Sequence, residues 1–141
     1  MRATEAQRDY SDEMADPSAP LTYTRGDALE ESDPTPGMLR RRAFATDTMW
    51  SGTARYEPRT VTGWHHHGAH ETTLYVVTGS LHVEFGPGGG ASIEAVAGDF
   101  VQVPAGAVHR ESIPADEPVL LVVVRCGHGE PTVNVDGPAP A

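Results

Sequence analysis

Lysine is absent from the 141 residues, and cysteine occurs once, as Cys126. Without lysine there is no Schiff-base or lysine general-base chemistry. A lone cysteine forms no intrachain disulfide and builds no thiolate metal cluster. Ten arginines face twenty acidic residues, for a formal charge of −10. Nucleic-acid backbones reward basic surfaces, so no nucleic-acid partner is expected. No apolar run approaches the ~20 residues of a membrane span, and the polar N-terminus does not read as a secretory leader. A soluble, cytoplasmic protein without a membrane partner is expected.

At 15.0 kDa there is room for one domain. Residues 1–36 form a regime of their own, acidic and punctuated by Pro17, Pro20, Pro34 and Pro36. Such a composition cannot repay ordering entropy, which predicts a disordered arm. The alternative is an arm packing on a partner subunit through Leu21, Tyr23 and Leu29. The folded unit is expected over 37–135, followed by a short tail at 136–141.

From Gly37 onward, short strand-like runs alternate with turn signals. Leu81-His82-Val83-Glu84-Phe85 alternates strictly, so its apolar and polar side chains take opposite faces. Thr73–Val77 ends at Thr78-Gly79-Ser80, and a Gly-rich loop at 86–90 leads into Ala91–Val96. Val119–Val124 is wholly apolar, which suits a strand covered on both faces. Recurrent short strands without helical periodicity predict an all-β sandwich or barrel. The excess apolar face of Val119–Val124 predicts a homodimer.

Four histidines fall within six positions: His65, His66, His67 and His70. On a strand, His65 and His67 share a face while His66 points away. Imidazole is the commonest side-chain metal ligand near neutral pH. A second signal follows Gly98, where Pro104 and Gly106 make a tight turn that presents His109 at the start of a new strand. His65, His67 and His109 delivered by separate strands would form a facial set with open coordination positions.

These residues resemble the two motifs of the cupin family. His65, His67 and Gly79 match the first, and Gly98, Pro104, Gly106 and His109 match the second, across about residues 40–128. The resemblance implies a double-stranded β-helix, a jelly-roll-like barrel, with a metal site in its mouth. It also supports the homodimer. Three positions depart from the family pattern. Arg59 replaces the first glycine, Ile113 replaces a terminal asparagine, and Thr72 stands where the family's glutamate is usual. The available acid, Glu71, is one residue early, and a one-residue shift on a strand reverses the face. Glu71 completes the metal site only if a bulge turns it inward. A three-histidine site, or one recruiting His70, is the alternative.

The donor set suits a divalent Fe, Mn, Ni, Co or Zn ion. The function implied is that of a metal-dependent enzyme on a small organic substrate, with dioxygenase chemistry slightly ahead. Non-oxidative isomerisation, cyclisation or decarboxylation is the alternative, and a non-catalytic binding module the third. Glu71, His70 and His82 are the candidate acid–base groups. His82 and Glu84 line either the interior or a solvated face. Trp64 and Tyr75 are expected in the core or an interface, and Cys126 is expected to be buried and inert.

Overall fold

Alternation within each run sets the architecture. In Ser80–Phe85, Leu81 and Val83 are buried while His82 and Glu84 stand on the opposite face. A computed structural model describes residues 15–140 and is almost wholly built of such strands. In chain order they are β1 (Glu30–Thr35), β2 (Met38–Ala45), β3 (Met49–Tyr56), β4 (His65–His66), β5 (Glu71–Thr78) and β6 (Ser80–Phe85). There follow β7 (Ala91–Val96), β8 (Phe100–Val103), β9 (His109–Ser112), β10 (Val119–Cys126) and β11 (Val133–Asn134).

Two antiparallel sheets result, one in the order β1-β2-β3-β10-β5-β8 and the other β11-β4-β9-β6-β7. Their inner faces share one core, in which Leu74 and Val76 of β5 cluster with Leu81 and Val83 of β6 and with Val119 and Leu121 of β10. Burying one such leucine contributes about 1.5–3 kcal/mol. The hand-over from β5 to β6 needs Gly79, whose φ is +86°. A Cβ there would also lie 2.6 Å from the carbonyl oxygen of Pro118.

Three expectations change. The boundary at residue 36 falls inside a hairpin, because β1 pairs with β2 in register Glu30↔Arg42 to Thr35↔Met38. Leu21 and Tyr23 lie exposed and Leu29 is half-buried, while residues 1–14 of the expected arm fall outside the described residues. β10 is central in its sheet but is covered on one face only. Val119, Leu121 and Val123 point inward, and Val122 stays 38% exposed on the outside. Cys126, at the end of β10, is exposed.

The C-terminal segment is tied down. β11 pairs with β4, the amide of Val135 donates to the carbonyl of Trp64, and Gly88 donates to Ala139. Among the described residues, no helix is long and apolar enough to cross a membrane.

Candidate metal centre

β4 and β9 are neighbours, and their register sets His65 directly opposite His109. His67 follows β4 by one residue and keeps the same face, while His66 points elsewhere and accepts the amide of Gly68. His109 is presented by the Pro104–Ala107 turn, which the Ala107 amide closes onto the Pro104 carbonyl. Gly106 supplies the required φ of +74°. One nitrogen from each of His65, His67 and His109 lies within 4.8 Å of the others, and all three residues are buried.

The orientation of each ring is fixed from behind. Nδ1 of His65 donates to the carbonyl of Gly63 (2.8 Å), that of His67 to Pro131 (2.7 Å) and that of His109 to Ala107 (2.9 Å). These bonds put the ring proton on Nδ1 and leave the Nε2 lone pair of every ring available to a metal. Nε2 of His109 is fully buried and has no hydrogen-bond partner. Three converging buried imidazoles, with the Glu111 carboxylate approaching the Nε2 of His109 and His65, are a set that a divalent cation would satisfy. The donor set fits such an ion.

The carboxylate of the site is Glu111, two residues after His109 and therefore on the same face of β9. It is 5% exposed. Its Oε1 lies 3.3 Å from Nε2 of His109 and 3.9 Å from Nε2 of His65, and its Oε2 accepts the hydroxyl of Tyr56. Burial pushes the Glu111 carboxyl up. The His109 contact, the His109 and His65 charges and the Tyr56 hydroxyl outweigh it, pulling the value down to about 2. Burial, then the Glu111 charge, hold the Tyr56 phenol well above its ordinary value. His65 is lowered by burial, and His67 falls to about 3 through burial and the nearby Arg125. Burial also opposes a proton on His109, but Glu111 overrides it and raises that group.

The triad opens on a cavity of about 710 Å³ walled by Met38, Trp50, Leu74, Val103 and Val123, with Tyr56, Glu111 and Arg125 as polar lining. His70 reaches this cavity half-buried, its Nδ1 3.1 Å from the carbonyl of His67. Glu71 opens β5 with an exposed side chain and is not part of the cluster, since no bulge turns it inward. Thr72 takes the inward position, 1% exposed. His82 is not brought to the triad either. It stands on the outward face of β6 beside Glu94, at 2.9 Å, with Glu84 paired to Arg110 nearby. Trp64 lies under the Arg110 guanidinium, 4.6 Å from its carbon to the ring centroid. Tyr75 packs outward on Phe100, with ring centroids 4.8 Å apart.

Sequence reasoning passed over Glu111, Tyr56 and Arg125. For Glu111 a signal exists: it stands to His109 as His67 stands to His65, two positions along one strand.

Fold and site together define an antiparallel β-barrel with a histidine-lined pocket at its mouth. The family model described as "Cupin domain" matches residues 52–125, just over half of the chain. The chain belongs to the cupin family. No curated protein matches it. Among solved structures it is similar to KdgF from Halomonas sp., at 18% identity over 77% of this chain and 96% of that one, with a TM-score of 0.64. It is similar to the polyketide cyclase RemF from Streptomyces resistomycificus, at 20% identity over 82% and 85%, with a TM-score of 0.69. A mutant of Bacillus subtilis oxalate decarboxylase OxdC matches at 20% identity over 89% of this chain but 36% of that one, with a TM-score of 0.66. The shared fold is the double-stranded β-helix.

Proposed function

We propose that this cupin is a metal-dependent enzyme that moves protons on a small organic molecule, an isomerase, cyclase or decarboxylase. The observation that carries this reading is the buried Glu111 carboxylate, held between His109 and the Tyr56 hydroxyl at the cavity wall. His65, His67 and His109 would hold a divalent ion. Such an ion supplies Lewis-acid polarisation of a substrate oxygen. Glu111 is ionised and oriented at the cavity wall. Held at about 2 it is a weak base, so it would take a proton only from a carbon that the ion has made acidic, and return it to another atom. Tyr56 stays protonated and steadies the carboxylate through both transfers. The apolar walls exclude water from the exchange. His70, also on the cavity, is a second candidate to relay a proton.

The dioxygenase reading rests on the same three imidazoles, which leave coordination positions open. The Glu111–Tyr56 pair supplies the proton-accepting group that the non-oxidative reading requires. The test is solvent deuterium wash-in with enolisable carbonyl compounds on protein loaded in turn with Fe, Mn, Ni, Co and Zn. Exchange that falls about 10²–10⁴-fold in Glu111→Gln supports the proposal. Dioxygen consumption by the iron form that survives Glu111→Gln would transfer the assignment to a dioxygenase. Ligand binding with no exchange and no oxygen uptake would leave a binding module.

We also propose a cytoplasmic homodimer. Val122, Tyr75 and Phe100 sit side by side across β10, β5 and β8 on the outward face, and Phe100 is 72% exposed. A second copy would cover this row. A monomeric mass by light scattering would remove the dimer.

A further inference from the structure

Arg125 comes from the inward side of β10, with the same parity as Leu121 and Val123, and lines the cavity beside the triad. Its cross-strand neighbours are Trp50 and Thr72. The guanidinium has one hydrogen bond, from Nε to the Thr72 hydroxyl at 3.2 Å, and no ion pair with any carboxylate among the described residues. Its two terminal nitrogens are uncommitted. Burial, then the charge of Arg40, pull its pKa below the ordinary arginine value, against the opposing charge of Glu111.

Arg40 lines the same cavity. Its Nη1 donates to the carbonyl of Asp33 and to the Thr35 hydroxyl, again without a carboxylate partner. The other acids on the cavity are otherwise placed. Glu111 is engaged with Tyr56 and His109, and Asp33 and Asp47 are exposed and unpaired to either arginine. A half-buried guanidinium that feels the Glu111 charge only through space, with no carboxylate in contact, is open to an anionic ligand. Its planar fork matches a carboxylate in two parallel hydrogen bonds. Thr72 sharpens the point, since a hydroxyl rather than an acid faces Arg125 across the strands.

We propose that the substrate is a small organic carboxylate, whose carboxylate group docks on the free nitrogens of Arg125 while its reacting end lies over the histidine triad. The anchor deepens the enzymatic reading of this cavity and rests on it for the second half of the statement. Arg125 binds and orients, and Arg40 adds positive potential without direct contact.

Pyruvate, malonate and benzoate, each paired with its neutral amide, are the probes, titrated into Zn(II)-loaded and metal-free full-length protein. Binding is read by calorimetry and by the side-chain Nε resonances of ¹⁵N-arginine-labelled protein. The expected result is that at least one carboxylate binds, that its amide does not, and that one arginine Nε resonance shifts. Arg125→Gln should weaken binding roughly ten- to hundredfold. Arg125→Lys should recover part of it, and Arg110→Gln on the outer face should change nothing.

Carboxylate binding that needs zinc but ignores Arg125→Gln would overturn the anchor and leave the metal site standing. Absence of binding by all three acids in a protein that takes up zinc would overturn it as well. Arg125-dependent binding in a protein that takes up no metal would sink the metalloenzyme reading and keep the anchor. The wild-type arginine resonances decide the matter even if the Arg125 variants fold poorly.

Discussion

Glu111 and His109 belong to one strand, two residues apart, and their side chains meet at 3.3 Å in the buried mouth of the barrel. β9 therefore contributes both a nitrogen donor and a carboxylate to the same few ångströms. The family's usual acid would come from β5 instead, where this chain has Thr72.

Replacing Glu111 by Gln keeps size and shape and removes the charge. We expect near-normal metal content and a loss of deuterium exchange of about 10²–10⁴-fold. Tyr56→Phe removes only the hydroxyl that steadies Oε2, and a smaller loss of exchange is expected from it. Equal exchange in wild type and Glu111→Gln would take the carboxylate out of the chemistry.

Metal content should track the triad. Plasma mass spectrometry is expected to find near-stoichiometric metal in untagged wild type and none in His67→Ala or His109→Ala. Ligation also stabilises the fold, by about 2.7 kcal/mol at a free metal concentration one hundred times Kd. A thermal melt should rise with added metal in wild type and stay put in both variants. Metal retained by both variants would relocate the site.

The core prediction separates the two faces of β10. Leu121 is fully buried, whereas Val122 beside it is 38% exposed. Leu121→Ala should cost about 2–5 kcal/mol in denaturant unfolding, from lost burial and the cavity left behind. Val122→Ala should cost well under half of that. Comparable losses would mean that the outer face of β10 is packed in solution.

Across the β6–β9 pair, Glu84 accepts Nε of Arg110 at 2.9 Å. That hydrogen bond holds the Glu84 carboxyl below its ordinary 4.5 against the opposing effect of burial, with the Arg110 charge adding to it. A carboxyl lowered on folding adds stability above its unfolded value and loses it as pH falls through the folded one. The stability gap between wild type and Glu84→Gln should thus be present at pH 7 and vanish well below 4.5. Added salt should shrink it, because the pair is only half-buried. A gap that widens on acidification would contradict the pairing.

Much of the fold is legible in alternation. Leu81-x-Val83 declares an inner face, and both residues are buried. The triad is legible for the same reason, helped by the Pro104–Gly106 turn. Alternation is silent on pairing. Nothing local brings Tyr56 to Glu111, 55 residues away, or Arg125 to Thr72, 53 residues away. The second exists because β5 and β10 pair in one sheet, and the first because β3 and β9 face each other from opposite sheets, which are properties of the topology. Covering of a strand is equally non-local. An apolar run such as Val119–Val124 reads the same whether its outer face meets a partner or water.

The carbonyl that aims His67 belongs to Pro131, beyond the end of the family match at residue 125. The residues after Pro131 are laced to the histidine segment by β11 and by the Val135 amide. The last turn of chain is thus a buckle over the ligands, and any proteolytic nick or fusion near residue 131 would loosen an imidazole that lies 64 positions away in sequence. A protein trimmed to its recognisable motif would keep all three histidines and lose the aim of one.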